Sequence, residues 1–477
     1  MPNDRPNIVF IITDQQRFDT IAALGYEHAI TPNLDRLVRR GTTFTRTYVT
    51  APSCAPSRAS LFTGMYPHTT GVLKNNDPWN HSWVESLADS GYRCVNVGKM
   101  HTYPYTASVG FHERHVVENK DRSNPALPFF LDEWDKAFHS RGLVKPDRAT
   151  KYRALEDYRE RLGAFEWDAP VNLHVDNFVG DLAAHWLDVY PGNEPFFLQV
   201  GFPGPHPPYD PTTEAIARYE GVEMPAAHDS VEDRAGQPVA VKDLIRDNLE
   251  VDHDGIVHLE HPTADQVDRQ RRYYMANVTM IDEQVGAIVD ALERRGVLDE
   301  TVIIFTSDHG DCLNDHGHIQ KWSMYEPSVR VPAIVAGPGI VADQRFDGLT
   351  SLFDLGPTVL ELAELTPPAW MEARSLIPAL RGQHFEGREF AFSEHARDMV
   401  LQQTALMTMV RDERYKFVEF VDHEDGQLFD LDEDPHEMVN LWDDPARRED
   451  RERLSRVISR WRAESELHTA SWTAAFR

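Results

Sequence analysis

Three short stretches of the chain, residues 7–13, 196–200 and 302–307, are apolar at almost every position. A strand that is covered on both faces has this pattern, whereas a strand with one face in water alternates apolar and polar residues. We therefore predict that all three are central strands of one large, mostly parallel sheet with helices on both faces.

Amphipathic helices are indicated between these strands, where apolar residues recur every three or four positions. One helix is predicted over residues 175–189, and a longer one opens at Pro262 and ends at Gly296. A third begins at Pro32 and stops before Gly41, a residue that suits the position just beyond a helix. Strands that alternate with helices indicate the α/β class of folds.

The predicted secondary structure changes towards the C-terminus of the chain. The segment 415–421 predicts a strand of modest burial, a short strand follows at 428–431, and a closing helix is expected near 445–464. We interpret residues 1–366 as a large α/β domain and residues 367–477 as a smaller α+β domain with an antiparallel sheet.

An acidic segment of irregular pattern, residues 219–259, lies between the second central strand and the long helix. We expect an insertion there that could act as a lid. Within it, we predict that His253 and His258 lie at the surface.

The charge of the chain limits its partners. It carries 77 acidic and 48 basic residues, a formal net charge of −29, which argues against nucleic acid and anionic membranes. No run of about 18 apolar residues is present, so no transmembrane helix is predicted. Three cysteines, Cys54, Cys94 and Cys312, are too few for a disulfide framework, and they indicate a reducing, cytoplasmic location.

The stretch from Ser53 to Gly64 combines a nucleophile with a cation. It places Cys54 four residues before Arg58, with Pro56 between them. If Arg58 begins a helix, Cys54 lies just before its N-terminus, where backbone N–H groups and the helix dipole favour an anion. This arrangement suits attack on an anionic ester, while a buried structural cysteine explains the same residues equally well.

Acidic residues follow two of the predicted central strands. Asp14 and Gln15 come directly after the first strand, and Asp308 and His309 come directly after the third. Ligand sites in open α/β sheets lie beyond the carboxyl ends of the strands, so the two aspartates could converge on one cation. Taken alone, Asp14 also fits a turn or a helix cap.

Basic residues follow two further predicted strands. Lys99 and His101 lie just after a short strand at 93–97, and His206 stands between two prolines after the second central strand. The prolines fix the loop around His206, which suits catalysis but also purely structural turns. Lys99 and His101 could reach one pocket, although a lysine on a loop is usually solvated.

The stretch around Cys54 resembles the signature of the type I sulfatases, Cys-x-Pro-Ser-Arg followed by a Thr-Gly close. The resemblance extends to near residue 441 and implies an α/β sandwich similar to alkaline phosphatase. In that family the cysteine is oxidised to formylglycine, whose hydrated aldehyde is the nucleophile. The resemblance therefore implies that a formylglycine-generating maturase converts Cys54, and that the substrate is a small sulfated molecule.

A metal site is also implied by this resemblance. Asp14 and Gln15 match the first metal motif, where the family usually has two aspartates, so Gln15 is a departure. Asp308 and His309 match the second metal motif, and the residue at position 54, Cys54, completes the set. Carboxylate ligands indicate Ca²⁺ as the single divalent cation, with Mg²⁺, Mn²⁺ or Zn²⁺ as alternatives because of the amide and the imidazole.

Catalytic roles are carried over on the same resemblance. The matching positions are Cys54, Arg58, Lys99, His101, His206 and Lys321. The arginine and the two lysines would neutralise the oxygens of the sulfate and of formylglycine. His206 or Lys321 would protonate the leaving alcohol, and His101 would deprotonate the second hydroxyl of formylglycine.

Three functions are consistent with this sequence. Hydrolysis of a sulfate monoester is the leading hypothesis, and a carbohydrate sulfate is favoured over a simple aryl sulfate. A phosphonate or phosphate ester hydrolase of the same superfamily is the second, because the Asp-Gln and Asp-His pairs resemble that branch, whereas Lys99 and His101 favour sulfate. A non-catalytic binding protein on this fold is the third, and it would be expected to have lost some of the reactive positions that are filled here.

Overall fold

The structure is a computed structural model that describes residues 5–118 and 130–475 of the chain. Its larger sheet is formed by β1 (Asn7–Asp14), β2 (Gly41–Tyr48), β3 (Arg93–Gly98), β4 (Glu113–Val116), β5 (Phe196–Pro205), β6 (Thr301–Ser307), β7 (Arg330–Ala336) and β8 (Gln344–Ser351). Their order across the sheet is β4-β3-β5-β1-β6-β7-β2-β8, and of these eight strands only β7 runs against the others. The three predicted central strands are therefore neighbours in one mostly parallel sheet, as expected.

Helices cover both faces of this sheet. The α-helices of the described residues are α1 (Pro32–Arg40), α2 (Cys54–Thr63), α3 (Pro67–Thr70), α4 (Val84–Asp89), α5 (Glu133–Ser140), α6 (Arg148–Arg153), α7 (Val175–Val189), α8 (Thr213–Ala217), α9 (Val231–Gly236), α10 (Val239–Glu250), α11 (Ala264–Arg295), α12 (Glu326–Val329), α13 (Leu355–Leu362), α14 (Ile377–Leu380) and α15 (Arg448–Ala475). Helices α2 and α13 lie on one face, and α7 and α11 lie on the other.

Strand β1 shows why the continuously apolar stretches become central strands. Ile8, Phe10 and Ile12 belong to the core on the α2 face, whereas Val9 and Ile11 belong to the core on the α7 face. All five side chains are fully buried, and burial of each stabilises the fold by about 1.5–3 kcal/mol. The predicted α/β sandwich is thus confirmed.

The C-terminal part of the chain forms a second, antiparallel sheet. Its strands are β9 (Ala391–Ala396), β10 (Leu406–Arg411), β11 (Tyr415–Phe420) and β12 (Gly426–Asp430), in the order β12-β11-β10-β9. Helix α15 covers this sheet with Leu454, Ile458 and Trp461, which pack against Phe417 and Leu428. The smaller α+β unit is therefore present, while its boundary at residue 367 stays a prediction.

The ends of the predicted helices are largely confirmed. Thr263 caps α11, because its hydroxyl accepts a hydrogen bond from the Gln266 N–H at 3.2 Å, and Gly296 ends the helix with a left-handed φ of 76°. Gly41 differs from the expectation: its φ is −142°, which is extended, because β2 begins there. Its lack of a side chain is required by β7, since a Cβ on Gly41 would collide with the carbonyl oxygen of Val335.

His258 does not lie at the surface, as the sequence had suggested, but is 2% exposed. Burial lowers the pKa of its imidazole to about 4, although hydrogen bonds with the backbone at Gly317 and Ile245 act to raise it, so it is packed as a neutral side chain. His253, by contrast, is only half-buried, and its Nε2 lies 2.8 Å from Asp247 Oδ2.

Candidate active site

The C-terminal residues of the central strands lie at one edge of the sheet. Thr13 on β1 lies opposite Ser307 on β6, so Asp14 and Asp308 emerge side by side. Asp14 is also in register with Pro205 on β5, which places His206 at the same edge. The site therefore lies where the topology of a parallel sheet predicts a ligand site.

Cys54 reaches this edge from the other direction, on α2. Helix α2 begins at Cys54 and not at Arg58, because the preceding Ser53 is extended, with φ of −154° and ψ of 140°. Cys54 and Arg58 are thus four residues apart within one helix, and both side chains project from the same face towards the strand ends. Pro56 is tolerated because the N–H groups of a first helical turn have no partner within the helix.

Four buried side chains converge to form a cluster of possible metal ligands. Asp14, Cys54, Asp308 and His309 each place one ligand atom so that all four atoms lie within 4.8 Å of one another. The Sγ atom of Cys54 is 3.2 Å from His309 Nε2 and 3.6 Å from Asp14 Oδ1. His309 Nδ1 donates to the carbonyl oxygen of Gly310 at 3.0 Å, so in the neutral ring the lone pair lies on Nε2, the nitrogen directed at the cluster. This donor set fits a divalent cation.

Three cations surround the cluster. Lys99 Nζ contacts Asp14 Oδ2, Arg58 Nε donates to Asp308 Oδ2 at 2.7 Å, and Lys321 Nζ lies 3.2 Å from Cys54 Sγ. All three side chains are buried, so their charges act at short range with little screening. Arg58 also donates to the carbonyl oxygens of Lys99 and Thr13, so each of its guanidinium nitrogens is used within the protein.

The cations determine the ionisation of the site. Burial acts to raise the pKa of Asp14, but the charges of Lys99 and His206 outweigh it and hold that pKa well below its usual value. Burial and the Asp14 charge likewise act to raise the pKa of the Cys54 thiol, and Lys321 and Lys99 lower it overall. The site thus favours negative charge at position 54 despite the net charge of the chain.

Gln15 is held by a hydrogen-bonded network that the sequence did not indicate. Its Nε2 donates to Asp311 Oδ2 at 2.6 Å, and its Oε1 accepts from Lys321 Nζ at 2.9 Å. The hydroxyl of Tyr209 donates to the same Asp311 oxygen at 2.6 Å. Asp311 therefore fixes the orientation of the amide, with the Gln15 oxygen turned towards Lys321 and the cluster.

The two histidines proposed for proton transfer occupy different surroundings. His206 Nδ1 lies 2.8 Å from the carbonyl oxygen of Pro207, while its Nε2 lies 3.8 Å from Asp254 Oδ2. His101 has a left-handed φ of 61°, and its backbone N–H donates to Glu118 Oε2 at 2.7 Å. Both side chains are buried, and His206 contacts the insertion through Asp254.

Two residues of the site were missed in the sequence. Asp311 follows Asp308 within one loop, and an acidic residue three positions after a metal ligand was the available signal. Asp254 lies in the insertion, and no local pattern distinguished it from the acidic residues around it.

Comparison with known proteins agrees with this geometry. The sulfatase family model matches residues 6–365, and a model described as N-sulphoglucosamine sulphohydrolase, C-terminal, matches residues 314–464. The chain belongs to the type I sulfatase family of the alkaline phosphatase superfamily. Its relatives of known activity make it a sulfuric ester hydrolase.

Similar proteins match over nearly their whole length. An arylsulfatase of Clostridium perfringens is 29% identical over 92% of this chain and 90% of its own. A choline-sulfatase of Rhizobium meliloti is 30% identical over 93% and 84%, and a multifunctional alkaline phosphatase superfamily protein of Trinickia caryophylli is 30% identical over 93% and 92%.

Solved structures show the same fold. The phosphonate monoester hydrolase of Agrobacterium radiobacter superimposes with a TM-score of 0.81 at 25% identity, covering 97% of this chain and 96% of its own. A structure in complex with its substrate D-glucosamine-2-N,6-O-disulfate gives a TM-score of 0.78 at 20% identity, covering 97% and 98%. No helix in the described parts of the chain has the length and apolar character needed to cross a membrane.

Proposed function

We propose that this enzyme hydrolyses sulfate monoesters with formylglycine, made from Cys54 by a maturase, as its nucleophile. The observation that carries the proposal is the position of Cys54 Sγ, 3.2 Å from both His309 Nε2 and Lys321 Nζ. A hydrated aldehyde at this position would adjoin the metal cluster on one side and a cation on the other. Such surroundings favour a deprotonated oxygen nucleophile.

A divalent cation would be held by Asp14, Asp308, His309 and the residue at position 54. Gln15 would add its amide oxygen, which Asp311 already orients towards the cluster. When bound, the cation would lower the pKa of the nucleophilic hydroxyl. Two carboxylates and an amide oxygen favour Ca²⁺, and the imidazole keeps Mg²⁺ and Mn²⁺ as alternatives.

The remaining side chains would have separate roles at the sulfate. Lys99 and Lys321 would neutralise the sulfate oxygens, since their ammonium groups flank position 54. Arg58 would act mainly by holding Asp308, because its nitrogens already donate to protein oxygens. His206 or Lys321 would give a proton to the leaving alcohol, and His101 would take one from formylglycine.

Phosphonate ester hydrolysis is the alternative that a specific observation favours. Gln15 and His309 stand at positions where the sulfatase pattern usually has aspartate and often asparagine, and the Agrobacterium neighbour is a phosphonate monoester hydrolase. Lys99 and His101 support sulfate, because they match the Gly-Lys-x-His of the sulfatases, and the ammonium group of Lys99 contacts Asp14 in the cluster.

A matched pair of esters decides between these activities. We expect 4-nitrophenyl sulfate to be hydrolysed with a higher kcat/KM than the 4-nitrophenyl ester of phenylphosphonate, which has the same leaving group and the same charge. A clear preference for the phosphonate would assign the protein to the alternative activity.

A carbohydrate sulfate is our proposed physiological class of substrate. It is supported by the match of residues 314–464 to a family model named for an N-sulphoglucosamine sulphohydrolase. Release of sulfate from a panel of defined sulfated sugars tests this assignment, with choline sulfate included because of the Rhizobium relative. Faster release from choline sulfate than from every sugar would contradict it.

A further inference from the structure

The insertion contributes an acidic side chain to the entrance of the active site. After α10 the chain turns back at Asp254, whose φ of 55° is left-handed, and the following Gly255 lies against Pro208. This turn places Asp254 Oδ2 at 3.8 Å from His206 Nε2. The side chain of Asp254 is 29% exposed, whereas Asp14, Asp308 and His309 are fully buried.

Two contacts fix this turn against the loop that carries Lys321. The Nε2 of Gln320 donates to the carbonyl oxygen of His253 at 3.2 Å, and the ring of His253 lies 5.8 Å from that of Trp322. Asp254 is thus held in place beside His206, one of the two candidate proton donors.

The direction in which a substrate must lie follows from this geometry. In the proposed reaction the sulfate lies at position 54 and His206 protonates the leaving alcohol, so the leaving group lies beside His206. Asp254 is a partly exposed carboxylate next to that histidine. A leaving group with a positive charge or hydroxyl donors would be attracted there, and one with further negative charge would be repelled.

We propose that Asp254 is a specificity-determining residue that selects cationic or hydroxyl-rich neutral leaving groups and rejects anionic ones. The inference rests on the proposed function and narrows its substrate class, among sulfated sugars, to sulfate esters of amino sugars and neutral sugars. Polyanionic sulfated chains are excluded, because their neighbouring charges would face Asp254.

The experiment compares three aryl sulfates that differ in the charge of the leaving group. These are 4-(trimethylammonio)phenyl sulfate, 4-nitrophenyl sulfate and 4-carboxyphenyl sulfate, assayed with the wild type and with Asp254→Asn. Asparagine tolerates a left-handed backbone, so the variant removes the charge without disturbing the turn. The ratio of wild-type to variant kcat/KM cancels the intrinsic reactivity of each ester.

We expect Asp254→Asn to lower kcat/KM for the cationic ester about tenfold relative to the nitrophenyl ester, and to raise it several-fold for the carboxylated one. The matched control is Asp252→Asn on the same turn, because Asp252 Oδ2 lies 3.7 Å from Arg159 and not beside His206. For Asp252→Asn, the ratio of wild-type to variant kcat/KM should be the same for all three esters.

Each other outcome has a distinct meaning. Equal changes for the three esters would show that Asp254 only orients His206, and would overturn the specificity role. Equal changes of kcat/KM in Asp254→Asn and Asp252→Asn would show that the effect arises from the overall charge of the loop. This result would also overturn the specificity role of Asp254. Absence of sulfate release from every ester would instead disprove the proposed function itself.

Discussion

The floor and the entrance of this active site are built in different ways. The floor consists of Asp14, Cys54, Asp308 and His309, which stand on or directly beside strand ends and at the start of a helix. The entrance consists of His206, Asp254 and Lys321, which stand on loops.

Both regions contain unusual backbone conformations. Asp254 at the entrance, and Gln320 and Trp322 beside Lys321, have left-handed φ values of 55°, 58° and 75°. Gln15, beside Asp14 in the floor, has a φ of 72°, and few non-glycine residues adopt such values. Such conformations persist only where surrounding contacts enforce them. The floor is thus positioned by the regular sheet and the start of a helix, whereas the entrance, where we propose that the leaving group is selected, is positioned by contacts between distant segments.

The largest expected effect concerns the nucleophile of the floor. Cys54→Ala should lower kcat by at least about 10⁴-fold, because it removes the reacting group itself. Peptide mass spectrometry of active wild-type protein should find residue 54 about 18 Da lighter than cysteine, as expected for formylglycine.

Cys94 provides a matched control for this substitution. It lies within β3, and burial raises the pKa of its thiol to about 12, so it has no nucleophilic character. Cys94→Ala should therefore keep activity. Fully active protein with only unmodified Cys54 would contradict the proposed nucleophile.

Removal of the metal is the second test of the floor. Exhaustive chelation should abolish activity, and readdition of Ca²⁺ should restore it and raise Tm. At a metal concentration of one hundred times Kd, the gain in the free energy of unfolding is about 2.7 kcal/mol. Full activity at a verified metal content of zero would exclude this site.

Asp308→Asn is the appropriate variant for the metal site. Arg58 is fully buried against Asp308, and complete loss of its partner would cost about 3–5 kcal/mol, so Asp308→Ala would confound metal loss with unfolding. Asparagine keeps an oxygen for Arg58 Nε while it removes the charge. We expect a metal titration of this variant to show no binding at the concentrations that saturate the wild type.

Substitution of Lys99 or His101 should have a smaller effect than loss of the nucleophile or of the metal. Lys99→Ala and His101→Ala should each lower kcat for 4-nitrophenyl sulfate by a factor on the order of 10²–10⁴, as for a single electrostatic or acid–base group. Lys74→Ala, on an exposed loop, is the control. Near-wild-type rates in both variants would show that Lys99 and His101 have no catalytic role.

The floor was largely predictable from sequence because its signals are local. A strand covered on both faces has an unbroken apolar pattern, and the residues that follow it must lie at the sheet edge, which identified Asp14 and Asp308. The role of Gln15 could not be predicted this way. Its amide is oriented by Asp311, 296 positions away, through a contact that only the tertiary structure creates.

The entrance was less predictable because its surroundings are formed by distant segments. Asp254 reaches His206 only after the insertion has folded across the loop that carries Lys321. The same folding buries His258, which an acidic and irregular sequence had suggested to be exposed. Local composition therefore describes neither the position nor the burial of residues in this insertion.

The smallest expected effect is a pH dependence of stability that arises in the insertion. Burial lowers the folded-state pKa of His258 to about 4, with Arg234 nearby, and burial also lowers the pKa of the neighbouring His318. In the unfolded chain a histidine has a pKa of about 6.5. Between these two values the unfolded state binds more protons than the folded state, so the free energy of unfolding falls as the pH falls.

For His258 this loss amounts to about 2 kcal/mol between pH 7 and pH 5, and it is complete only below the folded-state pKa of about 4. His258→Gln should remove that contribution, so urea midpoints of the variant should fall less over this interval than those of the wild type. His253→Gln is the control, because it removes a histidine from the same insertion whose side chain is only half-buried. An equal dependence on pH in wild type and His258→Gln would show that this histidine is protonated in the folded protein, and that the insertion is less tightly packed over the entrance than the structure shows.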